Sequence, residues 1–217
     1  MELLSGQVRS RRGLNAALGF LLLAACLSQS GCVTAPSGAR QYQDETTAVT
    51  ITIASEPFVL AREVSMLAVN ARDYVSLYPL EVNRAGQRRY YFFGYSWSTI
   101  DRRDDKGAAA SVDAELNLQA DDRAVALRMS PSEFQSAGVS ALPMTRPVPD
   151  ARPLLYPTDR ATLLFVGTAR ALSAQFGGPA SAAALEQYRQ WTRPGSGFEG
   201  FFERIGPAQV FRAPSRQ

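Results

Sequence analysis

Hydrophobic and polar positions alternate along residues 46–54, with Val49, Ile51 and Ile53 on one side and Thr50 and Thr52 on the other. A period of two predicts a half-buried strand. A second strand is expected over residues 58–64, after the break at Pro57. Residues 74–82 and 88–100 flank Asn83-Arg84-Ala85-Gly86-Gln87, which reads as a hairpin with Gly86 supplying a positive φ. Pro79 within the first arm implies an edge position or a bulge, because proline cannot donate to a ladder. In the second arm apolar groups occupy both faces as far as Phe93; beyond it Tyr95 and Trp97 share a face with Gly94, Ser96 and Ser98 opposite. That pattern predicts a strand covered on both sides and then on one. The functional alternative is an aromatic platform for a sugar or a peptide. Residues 112–119 and 123–129 form a weaker second hairpin around Ala120-Asp121-Asp122.

The pattern changes after residue 143. Pro143, Pro147, Pro149, Pro153 and Pro157 make residues 143–157 a stiff extended connector. Only about 60 residues follow, too few for a second domain of ordinary size, so a strap across the sheet is preferred to a domain boundary. Residues 158–168 admit two readings: a helix capped by Thr158 with Asp159 in its first turn, or a strand favoured by Thr162, Val166 and Thr168. A strand over 169–176 and a break at Gly177-Gly178-Pro179 follow. Residues 181–191 are rich in helix formers and predict a helix, with Leu185, Tyr188 and Trp191 on one face. Phe198, Phe201, Phe202 and Ile205 recur at helical spacing. That stripe either docks on the sheet or meets a partner or a membrane surface; Gly200 and Gly206 make the helix poor on its own and favour docking. The fold class expected is α+β, with an antiparallel sheet in the first half and helices plus a late strand in the C-terminal third.

The N-terminus follows a different logic. Arg9, Arg11 and Arg12 precede an apolar stretch over 14–27 that is broken only by Asn15 and Gly19 and closed by Ser28, Gln29 and Ser30. This is the layout of an export signal, and the stretch is too short to span a bilayer, which takes about 20 apolar residues. It ends in Leu23-Ala24-Ala25-Cys26, which resembles the lipobox of bacterial lipoproteins. The resemblance covers only residues 1–32. It implies that the Cys26 sulfur receives a diacylglyceryl group and that the signal, residues 1–25, is cut just before it. Cys32, after Gln29-Ser30-Gly31, is the rival site and would extend the signal to 1–31; Gln29 stands where an aliphatic residue is usual. Lipidation at Cys26 leaves Cys32 as a lone thiol in an oxidising compartment, whereas lipidation at Cys32 leaves none. The residue after the lipidated cysteine is Leu27 or Val33 rather than aspartate, which by the same resemblance places the protein on the periplasmic face of the outer membrane. Residues 26–45, rich in Ser, Gly, Gln, Ala and Thr, read as a flexible tether, residues 46–210 as a single domain and 211–217 as a tail.

Charge and chemistry narrow the function. The chain carries 23 basic and 20 acidic residues, but without residues 1–25 these become 20 and 19, a net charge of +1. No basic stripe is present of the kind nucleic-acid binding requires. The chain has no histidine and only two cysteines, and its one lysine is Lys106. This excludes Ser-His-Asp and Cys-His schemes and ordinary zinc sites. Asp101, Asp104 and Asp105 lie among arginines without the spacing of a calcium loop. No metal or cofactor is implied. Paired carboxylates remain, with Glu56, Glu63, Glu81, Glu133, Glu186, Glu199 and Glu203 available, but no spacing selects a pair; Glu133 reads as a helix start. The function expected is that of a lipid-anchored, non-enzymatic binding or assembly accessory factor of the envelope. Its partner would be an envelope protein or peptidoglycan, besides the membrane itself. Tyr95, Trp97, Phe198, Phe201, Phe202 and Ile205 are the candidate binding surface. The alternatives are a cell-wall glycosidase and a purely structural lipoprotein.

Overall fold

The computed structural model describes residues 38–64, 70–100, 115–177, 187–195 and 197–207. Cys26, Cys32, the loop over 101–107 and most of the helix expected over 181–191 lie outside these residues. Ten strands form one antiparallel sheet: β1 (Ala39–Asp44), β2 (Val49–Ala54), β3 (Phe58–Glu63), β4 (Arg72–Arg84), β5 (Gln87–Ser98), β6 (Glu115–Ala120), β7 (Arg123–Arg128), β8 (Arg152–Thr158), β9 (Leu172–Phe176) and β10 (Tyr188–Thr192). Among the described residues three short helices accompany them: α1 (Glu133–Ala137), α2 (Arg160–Thr168) and α3 (Gly197–Ile205). The chain is therefore mainly antiparallel β-sheet, and its helices are a smaller part than an α+β expectation suggests. Among the described residues no helix is long and apolar enough to cross a membrane.

Strand β4 organises the sheet. Strand β5 pairs along its whole length on one edge. The other edge is shared, by β3 over residues 72–77 and by β2 over residues 80–83. Pro79 falls in the gap between these two partners, so its missing N–H interrupts neither ladder. It is neither on an outer edge nor in a bulge, as its position within a strand had implied. From β2 the sheet ends at β1; from β3 it runs through β10, β9 and β6 to β7; from β5 it ends at β8. Strand β7 returns close to β8, and the Met129 sulfur there accepts the Leu155 N–H at 3.4 Å. The β4–β5 hairpin turns as its sequence predicts: Ala85 and Gly86 have φ of 49° and 89°, and Asn83 Oδ1 accepts the Gly86 N–H at 2.9 Å.

The two faces of the β4–β5 ribbon carry separate cores. On the inner face Val75, Leu77, Phe92, Leu154 and Tyr156 meet Leu116, Leu118, Ala174 and Tyr188, and α2 and α3 add Leu163, Val166, Phe198, Phe201 and Ile205. On the outer face Ile51, Ile53, Leu80, Val82, Tyr91, Phe93 and Tyr95 are covered by Ala137, Val139 and Ala151 with Phe134, Met144 and Val148 beside them. The proline-rich segment is thus a strap over the outer face until it enters β8. Two close approaches need glycine. A Cβ at Gly94 would stand 1.8 Å from the Ser76 carbonyl oxygen, and one at Gly167 would enter the Phe198 ring at 1.6 Å.

Several local expectations are corrected. The flexible tether does not extend to residue 45, because Ala39–Asp44 pairs in register with Ala54–Val49 as β1. The strand expected from residue 46 starts at Val49, since 45–48 turn the chain and Ala48 takes a φ of 55°. Residues 160–168 are the helix of the two readings, but Asp159 is the cap: its Oδ1 accepts the Thr162 N–H at 2.7 Å while Thr158 ends β8. The helix predicted to reach Trp191 is contradicted at its end, where Tyr188–Thr192 is strand β10 between β3 and β9.

Candidate functional site: an aromatic and arginine strip

Strand register brings one row of side chains together on the outer face. Arg189 of β10 opposes Ala61 of β3, which opposes Tyr74 of β4, which opposes Trp97 of β5. Ala61 leaves a low point between larger neighbours. The register shifts between Gln190 and Thr192, so Trp191 is the extra residue of a bulge. Trp191 stands 54% exposed, the most exposed large hydrophobic residue among those described. Tyr74 and Trp97 stack with centroids 5.2 Å apart and planes at 14°. Trp191 meets Tyr74 nearly at right angles, at 6.3 Å. The Arg72 guanidinium lies 4.5 Å from the centre of the Trp191 ring and 3.3 Å from a Glu63 carboxylate oxygen. Glu63 opposes Arg72 in register, so this contact follows from strand pairing. The outcome is a strip of three aromatic rings with arginines at two points.

The strip rests on a firm base. Thr99 donates its N–H to the Arg72 carbonyl, and its Oγ1 accepts the Arg72 N–H, both at 2.9 Å. On the opposite face Arg62 and Asp73 form an ion pair at 2.8 Å, and the Arg62 guanidinium covers Tyr188 at 5.0 Å.

The strap covers the same outer face farther along. The Tyr95 hydroxyl donates to the Met144 carbonyl, and Thr47 Oγ1 donates to the Gly138 carbonyl at 2.6 Å. Asp44 receives the Ser140 N–H at 2.8 Å and the Ser140 hydroxyl at 2.7 Å, together with the N–H groups of Thr46 and Thr47. These donors, Ser140 first, hold the Asp44 carboxyl down to about 2 from an ordinary 3.8. Burial raises the hydroxyls of Tyr78 and Tyr95 above their ordinary range.

A second polar cluster lies on the inner face. Glu81 is buried and burial raises its carboxyl above the ordinary range, against the opposing influence of Arg88, Tyr90 and Arg160. Arg88 lies 3.8 Å from Glu81 and donates to the Ile205 carbonyl at 2.6 Å; Arg160 donates to the Gly206 carbonyl at 3.0 Å. These two arginines thus hold the C-terminal end of α3. The groups that act on Glu81 are Arg88, Tyr90 and Arg160. Among the described residues no group of three or more Cys, Asp or Glu side chains converges on a metal position.

The expected binding surface is divided by the fold. Trp97 belongs to the strip. Tyr95, Phe198, Phe201 and Ile205 are buried in the two cores and present no surface; Phe202 is half-buried, with Arg160 over its ring at 5.4 Å. The helical stripe docks on β1, β2 and β4. Glu133 begins α1, as its local sequence predicts. Tyr74, Trp191, Arg72 and Arg189 were not selected from the sequence. The usable signal was the alternation of Tyr188, Gln190 and Thr192 against Arg189 and Trp191, which the helix-forming residues just before it overrode. Comparison with protein-family models, curated protein sequences and solved structures finds no match to this chain.

Proposed function

We propose that this chain is a lipid-anchored cell-envelope protein that acts without catalysis, as a binding or assembly accessory factor, and that it holds its partner through the strip of Trp191, Tyr74, Trp97 and Arg72. The export signal and lipobox-like Leu23-Ala24-Ala25-Cys26 support the location, with Cys26 as the lipidated residue and the periplasmic face of the outer membrane as the site. The observation that carries the binding role is Trp191, 54% exposed at the end of an aromatic stack with a guanidinium on its ring. Tryptophan, tyrosine and arginine dominate the energetics of protein interfaces. Ring geometry favours a protein over a saccharide. A sugar platform needs free ring faces, whereas Tyr74 lies face to face with Trp97 and Arg72 covers one face of Trp191.

Two experiments test the proposal. A photocrosslinker placed at exposed Thr192 captures a discrete envelope protein in growing cells, and Trp191→Ala abolishes the capture while Leu164→Ala, on exposed α2 surface, does not. Equal capture in both variants refutes the interface; no capture from Thr192 or from position 63 favours the structural alternative. Labelled palmitate enters the wild type and Cys32→Ala but not Cys26→Ala. Labelling of the double variant at the wild-type level refutes lipidation.

A further inference from the structure

Resting on the reading of the strip as a protein interface, we infer that its partner presents an extended acidic segment carrying large apolar side chains, with carboxylates on Arg189 and Arg72 and apolar groups against Trp191 and the outer face of Trp97. Four observations combine. Arg189 lies in the same register row as Tyr74 and Trp97, and it is exposed. Arg193, just past β10, is exposed as well, and among the described residues neither arginine is in an ion pair. Trp191 is therefore flanked along the chain by two arginines that have no ion pair among the described residues, and it is topped by a third arginine, Arg72. The Glu56 carboxylate accepts the Gly195 N–H at 2.8 Å just past Arg193, and Glu63, whose side chain is 74% exposed, already rests on Arg72.

That contact shows which anion the strip accommodates. A carboxylate already sits beside the guanidinium that stacks on Trp191, held by an exposed ion pair of the kind that contributes little stability. An incoming carboxylate displaces it at small cost. Arginine suits this role because its planar fork matches a carboxylate while its face remains on the ring. The strip also has a suitable length. Four neighbouring strands span about 14 Å, the reach of four to five extended residues, and Ala61 leaves room at its middle for an apolar side chain. An anionic lipid surface would offer phosphates in place of carboxylates, and binding to vesicles distinguishes it.

The test uses the full chain with a fluorescent peptide of glutamate and phenylalanine, the same peptide with lysine for glutamate, and vesicles of phosphatidylglycerol. The acidic peptide binds, weakens by about tenfold on Arg189→Glu and again on raising salt from 0.05 to 0.5 M, and is lost in Trp191→Ala. The lysine peptide and the vesicles do not bind. Preference for the lysine peptide, indifference to Arg189→Glu, or binding to vesicles in place of the acidic peptide each overturns the inference. Crosslinking from Thr192 separates this failure from failure of the interface itself. If Trp191→Ala abolishes capture in cells and the paired Arg72→Glu and Arg189→Glu substitutions leave it intact, the interface stands and the acidic partner does not. If Trp191→Ala also leaves capture intact, both fall.

Discussion

The outer face of the β4–β5 ribbon has two halves with similar residues and opposite fates. Tyr95 and Trp97 lie two positions apart on one strand and point to the same side. Tyr95 is fully buried beneath the strap and donates its hydroxyl to Met144. Trp97 is only partly buried at the margin of the same cluster, where it stacks on Tyr74. The difference lies in the covering segment. Residues 134–151 are fixed over one half by Asp44, which gathers Ser140, Thr46 and Thr47 around a single carboxylate. An aromatic residue in a strand therefore carries no functional meaning until the segment packed on it is known.

Removing the two kinds of ring tests this contrast most strongly. Tyr95→Ala is expected to lose about 3–5 kcal/mol, as for other buried aromatic truncations. Trp191→Ala is expected to lose less than about 1 kcal/mol, since its ring is largely exposed. Urea midpoints at unchanged slope measure both. Equal losses would show that the open half is covered after all. Gly94→Ala comes next, with a cost of about 1–3 kcal/mol from the Cβ forced against the Ser76 carbonyl. A smaller loss would mean that the two strands separate there easily.

The strap should also respond to acid. The folded state holds the Asp44 carboxyl at about 2 against an ordinary 3.8, so the stability it supplies is complete above about 4 and is lost as pH falls toward 2. Asp44→Asn removes this slope, which is read from unfolding midpoints across the window. Glu81 has the opposite sign. Its raised carboxyl binds a proton more readily in the folded state, so stability rises as pH falls through that value and levels off below the ordinary 4.5. Glu81→Gln abolishes that rise. The smallest effect belongs to the exposed pair in the open half, where Glu63→Gln shifts stability by under about 0.5 kcal/mol.

Much of the architecture was legible where local pattern and tertiary outcome agree. The β4–β5 and β6–β7 hairpins follow from alternation around turn residues, and the strap from its prolines. Strand β1 was hidden because Ala39-Arg40-Gln41-Tyr42-Gln43-Asp44 has no apolar face of its own; pairing with β2 and the Asp44 hydrogen bonds make it a strand. Strand β10 was hidden because helix propensity is a weak prior that pairing with β3 and β9 overrides. That error also concealed the site, since Trp191 read as one face of a helix could not be placed beside Tyr74.

From the sequence alone came the absence of imidazole chemistry, the expectation of an export signal with a lipobox-like end, a domain built on antiparallel hairpins, and an aromatic run in β5. Only the tertiary structure decided which aromatics are core and which form a strip, because burial depends on what packs against a residue. It also set Arg189, Tyr74 and Trp97 in one row, because residues more than 90 positions apart become neighbours only when backbone hydrogen bonds fix the register of four strands.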